Sequence, residues 1–81
     1  MPETLYSLGK AASLAGDLPL AEGSWLRLLA VEKNTSLAAQ AHFGLAGLYR
    51  KQGKTAQAQH EMQEFQKLQT TIGPPRSDSP N

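Results

Sequence analysis

Cysteine is absent from all 81 residues. That excludes disulfide staples and thiolate zinc sites; it fits a reducing cytosol and equally allows a bacterial periplasm. No apolar run approaches the roughly 18 residues of a membrane span, so no membrane contact of that kind is expected. The opening Met1-Pro2-Glu3-Thr4 lacks the basic stretch and long apolar core of a secretory signal. An excess of one charge is missing too. Eight Lys and Arg stand against seven Asp and Glu, scattered, for a net charge of +1, and no basic stripe marks a nucleic-acid surface. No segment alternates apolar and polar residues as a strand does. A chain this short builds a marginal core without staples.

What is present is repetition. Leu8-Gly9, Gly16, Ala21 and Trp25 recur as Leu45-Ala46, Gly53, Ala58 and Met62, offset by 37 residues with the internal spacings unchanged. This predicts two copies of one helix-turn-helix unit. The first helix is expected over about residues 3–15, with Pro2 and Glu3 suited to its first turn and Leu5, Leu8, Ala12 and Ala15 on one face. Gly16 stops it, because glycine accepts the left-handed conformation past a helix end. Asp17 is a candidate N-cap for a second helix, with Ala21, Trp25, Leu28 and Leu29 as its buried stripe, closed near Lys33 and Asn34. Thr35 or Ser36 caps a third helix carrying Ala38, Ala41, Leu45, Leu48 and Tyr49, ended by Gly53. Thr55 is a candidate cap for the fourth, where Ala58, Met62, Phe65, Leu68 and Ile72 form a narrow apolar face. The glutamine-rich remainder from Gln57 to Gln69, with His60, Glu61 and Glu64, is expected to face water. Residues 73–81, opening Gly73-Pro74-Pro75, read as a disordered tail.

Small residues recur where helices should meet. A mid-helix glycine costs roughly 1 kcal/mol against alanine, so Gly9 is expected at a close helix contact, facing Ala21 as Ala46 faces Ala58. Trp25, Met62, Tyr49 and Phe65 would fill the spaces beside these contacts.

The pattern resembles the tetratricopeptide repeat, a helix pair of about 34 residues. Its signature positions are Leu8, Gly9, Ala12, Gly16, Ala21, Trp25 and Leu28, then Leu45, Ala46, Tyr49, Gly53, Ala58, Met62 and Phe65. The resemblance covers about residues 2–72, with repeats near 2–35 and 39–72. It implies an all-α fold of two tandem antiparallel hairpins forming a short right-handed α-solenoid. Three features depart from the family pattern. Ala12 stands where the family has tyrosine, Lys33 and Thr70 where it has proline, and about three extra residues fall within 33–38.

The resemblance also implies a function: a protein-interaction module, part of a larger scaffold or adaptor, holding a partner peptide or protein segment on the concave face. Carried over, that face offers Glu3, Tyr6, Lys10 and Ser13 from helix one. Helix three adds Gln40, Phe43, Gly47 and Arg50. Independently, Tyr6, Lys10 and Ser13 fall at i, i+4, i+7, as do Phe43, Gly47 and Arg50, off each buried stripe. Tyr6 and Phe43 would give flat apolar contacts, Arg50 would hold a carboxylate, and Gly44 and Gly47 would leave room for a ligand backbone. Only Lys10 is in keeping with the carboxylate clamp of chaperone-tail binders, so that ligand is not expected. A plainer reading stands alongside: Tyr6 and Phe43 as core between neighbouring helices, Lys10 and Arg50 as solvated charges.

No catalytic residue, cofactor or metal is expected. His60 through Glu64 misses the second histidine of a zinc-protease helix, and His42 reads as a surface residue. The glycines sit at helix stops and contacts, not in a phosphate-cradling loop. The two ends differ as well. The fourth helix has the polar outer face of a terminal cap, whereas Leu14, Leu18 and Leu26 lack obvious partners. Two expectations follow: the chain was cut from a longer array, or it self-associates through Leu14, Leu18 and Leu26.

Overall fold

In the computed structural model the described residues are 2–72, with side chains described through Thr70. They form four helices: α1 (Pro2–Leu14), α2 (Leu18–Val31), α3 (Ser36–Lys51) and α4 (Thr55–Ile72). No strand occurs among the described residues. α1 and α2 form one helical hairpin and α3 and α4 a second. α3 also packs against α1 and α2, whereas the α4 backbone lies close to α3 alone. The tail proposed for 73–81 and the Ile72 side chain lie outside the described residues.

The repetition is reproduced in the backbone hydrogen bonds. At the end of α1, Gly16 N–H donates to Ser13 C=O (3.1 Å) and Asp17 N–H to Ala12 C=O (2.8 Å). At the end of α3, Gly53 N–H donates to Arg50 C=O (3.1 Å) and Lys54 N–H to Tyr49 C=O (2.8 Å). Each residue of the second set lies 37 beyond its counterpart in the first. This is the Schellman closure, which satisfies orphan carbonyls by turning one residue left-handed. Gly16 (φ +85°) and Gly53 (φ +76°) are those residues.

The helix starts follow local chemistry. The Asp17 carboxylate accepts from Leu20 N–H (3.3 Å), and Thr35 Oγ1, not Ser36, accepts from Ala38 N–H (3.1 Å). Thr55 does not cap α4. It lies inside the helix, and the carbonyl of Lys54, the counterpart of Asp17, takes the first bond from Ala58 N–H (2.9 Å). α2 ends at Val31, before Lys33 and Asn34. The extra residues are helical: Ser36, Leu37 and Ala38 precede Ala39, the counterpart of Pro2.

The core joins Ala12, Ala21, Trp25, Leu28, Ala41, Leu45, Leu48, Tyr49 and Ala58. Its centre is Trp25. A Cβ built on Gly9 would lie 2.4 Å from the indole Nε1, and one on Gly44 2.7 Å from the far edge of the ring. The indole therefore lies between two glycines, one on α1 and one on α3, and its N–H donates to the Tyr6 carbonyl (3.3 Å). One expectation is corrected: Gly44 leaves no room for a ligand, because the tryptophan fills it. The atoms that come closest to Gly9 are those of Trp25. The contact also fixes the rotation of α1. Gly9 and Ala12 are buried and Leu5 is half-buried, while Leu8 and Ala15, expected on the buried face, are exposed.

Candidate functional site

Three helices bring aromatic side chains to one shallow depression. Tyr6 comes from α1, Gln40 and Phe43 from α3, and Phe65 and Gln69 from α4; they line a volume of about 280 Å³. Tyr6 and Phe43 are repeat counterparts, 37 residues apart, so equivalent positions on the first helix of each hairpin meet at the same surface. Phe43 is 57% exposed and tilts against Phe65, with ring centroids 5.2 Å apart. Such a tilted pair offers an exposed apolar surface that a ligand can cover. Gln40 and Gln69 place amides, each both donor and acceptor, at the margin.

The remaining sequence-selected residues separate. Lys10 is exposed and Ser13 half-buried, and neither lines the depression. Gly47 faces open space, with no atom within 4 Å of a Cβ built on it. Arg50 borders a second groove with Met62, Gln59 and Gln66 of α4. Gln40 and Phe43 thus lie toward the start of α3 and Arg50 at its end. Gly47 falls between Phe43 and Arg50 on the same helical stripe.

Phe65 and Gln69 join the site although the sequence pattern places Phe65 in the core and Gln69 on the solvated face. The signal that marks Phe65 is positional. Phe65 is the counterpart of Leu28, which is fully buried in the first hairpin. α3 lies against that hairpin, whereas no described helix packs on the second in the same way. Phe65 therefore keeps an open side.

A polar seam runs along another side of α3. Tyr49 Oη donates to Glu22 Oε2 (2.8 Å), tying α3 to α2. His42 Nδ1 lies 2.6 Å from Glu61 Oε1, tying α3 to α4, with only 16% and 12% of the two side chains exposed. His42 and Glu61 are thus partners across the second hairpin, not surface groups as expected. Burial pushes the Tyr49 phenol well above its ordinary range, and the bond to Glu22 and the charges of Glu22 and Glu61 push it further. The Lys54 ammonium stands 5.8 Å from the centre of the same ring, within cation–π range.

Among the described residues no three His, Asp or Glu side chains gather as a metal site would require, and no described helix is long and apolar enough to cross a membrane. Comparison with known protein families, curated proteins and solved structures finds no match for this chain.

Proposed function

We propose that this chain is a tetratricopeptide-like protein-interaction module, and that it holds an extended peptide segment across the surface of α3. The observation that supports this best is the convergence of Tyr6, Phe43 and Phe65 from three helices, rimmed by two glutamines. A soluble chain leaves such a cluster uncovered at a cost, and aromatic clusters with polar rims are typical anchor points of protein interfaces. The depression is at the small end of ligand pockets, which run roughly 300–1,000 Å³, so it takes one large side chain. The peptide backbone then passes over Gly47, where the surface is open, and an acidic residue further along pairs with Arg50.

A displayed library of random peptides, selected on the immobilised protein, tests the reading. The expected outcome is a shared pattern of one bulky apolar residue followed by an acidic one. Phe43→Ala should then weaken the selected peptides by about thirtyfold, the scale of an interface hot spot, with helicity unchanged. An absence of enriched peptides, or full affinity in the Phe43→Ala protein, would refute it.

A further inference from the structure

The two hairpins are held in alignment by different means. In the first, the indole of Trp25 is caught between Gly9 of α1 and Gly44 of α3, and its N–H donates to the Tyr6 carbonyl. Leu18, expected from the sequence to lack a partner, packs on the same core. A bulky ring seated in a gap left by glycines admits one position of α2 along α1. In α4 the counterparts of Trp25 and Leu18 are Met62 and Thr55. Both border an open groove, and a methionine conforms to its surroundings rather than fixing them. The counterpart of Gly9 is Ala46. The wedge is not repeated.

α4 turns Ala58, Glu61, Phe65 and Leu68 toward α3, at i, i+3, i+7 and i+10 on one face. Ala58 joins the main core, while Phe65 and Leu68 cluster with Ala38 and Ala39. Apolar attraction is non-directional, and an alanine surface does little to mark one register from the next. Glu61, in the middle of this face, is different. Its Oε1 lies 2.6 Å from His42 Nδ1, and both side chains are largely buried. A carboxylate accepts and an imidazole N–H donates, in one narrow geometry. Shifting α4 by one turn, about 5.4 Å, would leave both groups shielded from water and without each other, the costly state for buried polar groups. The same positions of the first hairpin hold Leu5 and Ser24, which form no such pair. The ionisable pair stands where the tryptophan wedge is missing.

We propose that His42 and Glu61 are positioning residues: their bond sets the register of α4 on α3 and thereby brings Phe65 and Gln69 to Phe43 and Tyr6. Phe43 follows His42 in the chain and Phe65 lies one turn beyond Glu61, so the two contacts are made or lost together. A single buried polar pair is an effective register device because every alternative alignment breaks it, whatever it adds to stability. The consequence for ligands rests on the proposed peptide site; the alignment itself does not.

Distances between two spin labels test this. The chain has no cysteine, so Lys51→Cys at the end of α3 and Thr70→Cys near the end of α4, both at exposed positions, carry the labels. The labelled protein should give a single distance. His42→Leu/Glu61→Ser, the residues of the first hairpin, fills both positions without a bond. It should add a population displaced by about 5 Å, one helical turn, with helicity and Trp25 emission unchanged. Glu61→Gln, whose amide oxygen still accepts from the ring N–H, should keep the single distance. Peptides selected on the unaltered protein should bind the double variant in proportion to its in-register fraction: one tenth in register raises Kd about tenfold. A pair that only added stability would leave that affinity unchanged. A single unshifted distance in the double variant, a displaced population in Glu61→Gln, lost α4 helicity in place of a shift, or an affinity that ignores the in-register fraction would each overturn the proposal. A protein that selects no peptide at all would sink the binding site alone, and the distances would still decide the register.

Discussion

The two hairpins share a backbone and differ in what covers them. The closing hydrogen bonds of their first helices recur at a fixed offset. Yet the position that holds a buried tryptophan in the first, Trp25, holds a half-buried methionine in the second, Met62. Trp25 is closed over by α3; Met62 borders an open groove. A repeated local design thus fixes where helices stop and turn. Whether a given position becomes core depends on whether another helix follows. The same rule, applied at the other end, leaves Leu8 exposed while Leu45 is sealed.

Paired substitutions probe this asymmetry. The largest expected effect is at its centre. Trp25→Ala should cost about 3–5 kcal/mol, the range for emptying a large aromatic site. Met62→Ala, at the counterpart position, should cost about 1 kcal/mol or less. Urea midpoints by circular dichroism measure both, and equal losses would contradict the contrast. A smaller effect separates two glycines of α3 three residues apart. Gly44→Ala drives a methyl to 2.7 Å from the indole. Overpacking costs about 1–3 kcal/mol against a helix-propensity gain of about 1, so its thermal midpoint should fall. Gly47→Ala meets open space, and its midpoint should rise by the equivalent of about 0.5–1 kcal/mol. A comparably modest effect belongs to Tyr49, which stands where the first hairpin has Ala12. Tyr49→Phe should cost about 1 kcal/mol at neutral pH. In the folded protein the phenol holds its proton beyond the ordinary value of 10, so above that pH the unfolded chain sheds a proton that the native one keeps. Stability should then fall with rising pH by about 1.4 kcal/mol per pH unit from this group. The Tyr49→Phe protein should lack that component; identical alkaline slopes in the two proteins would dismiss it.

How much of this was legible in the sequence depends on range. Gly16, Gly53, Asp17 and Thr35 act within a few residues of themselves, and their roles as stops and caps could be read directly. Small residues are harder. Gly9 and Gly44 each announce that something comes close, but not what, because the group filling the space lies on another helix. Beside Gly9 and Gly44 that group is the indole of Trp25. The His42–Glu61 pair spans 19 residues across a hairpin, and Glu61 sits among glutamines that do face water. At the candidate site, Tyr6 and Phe43 were readable from their shared offset. Phe65 and Gln69 were not, because the reading placed ligand contacts on the first helix of each pair only.

The chain contains one tryptophan, wedged between a glycine of α1 and a glycine of α3. Its light emission is thus a built-in gauge of how the two halves of the molecule close on each other. A folding step that completed either half alone would leave the indole bathed in solvent on one edge. The colour of its fluorescence reports the joint itself, with no added dye.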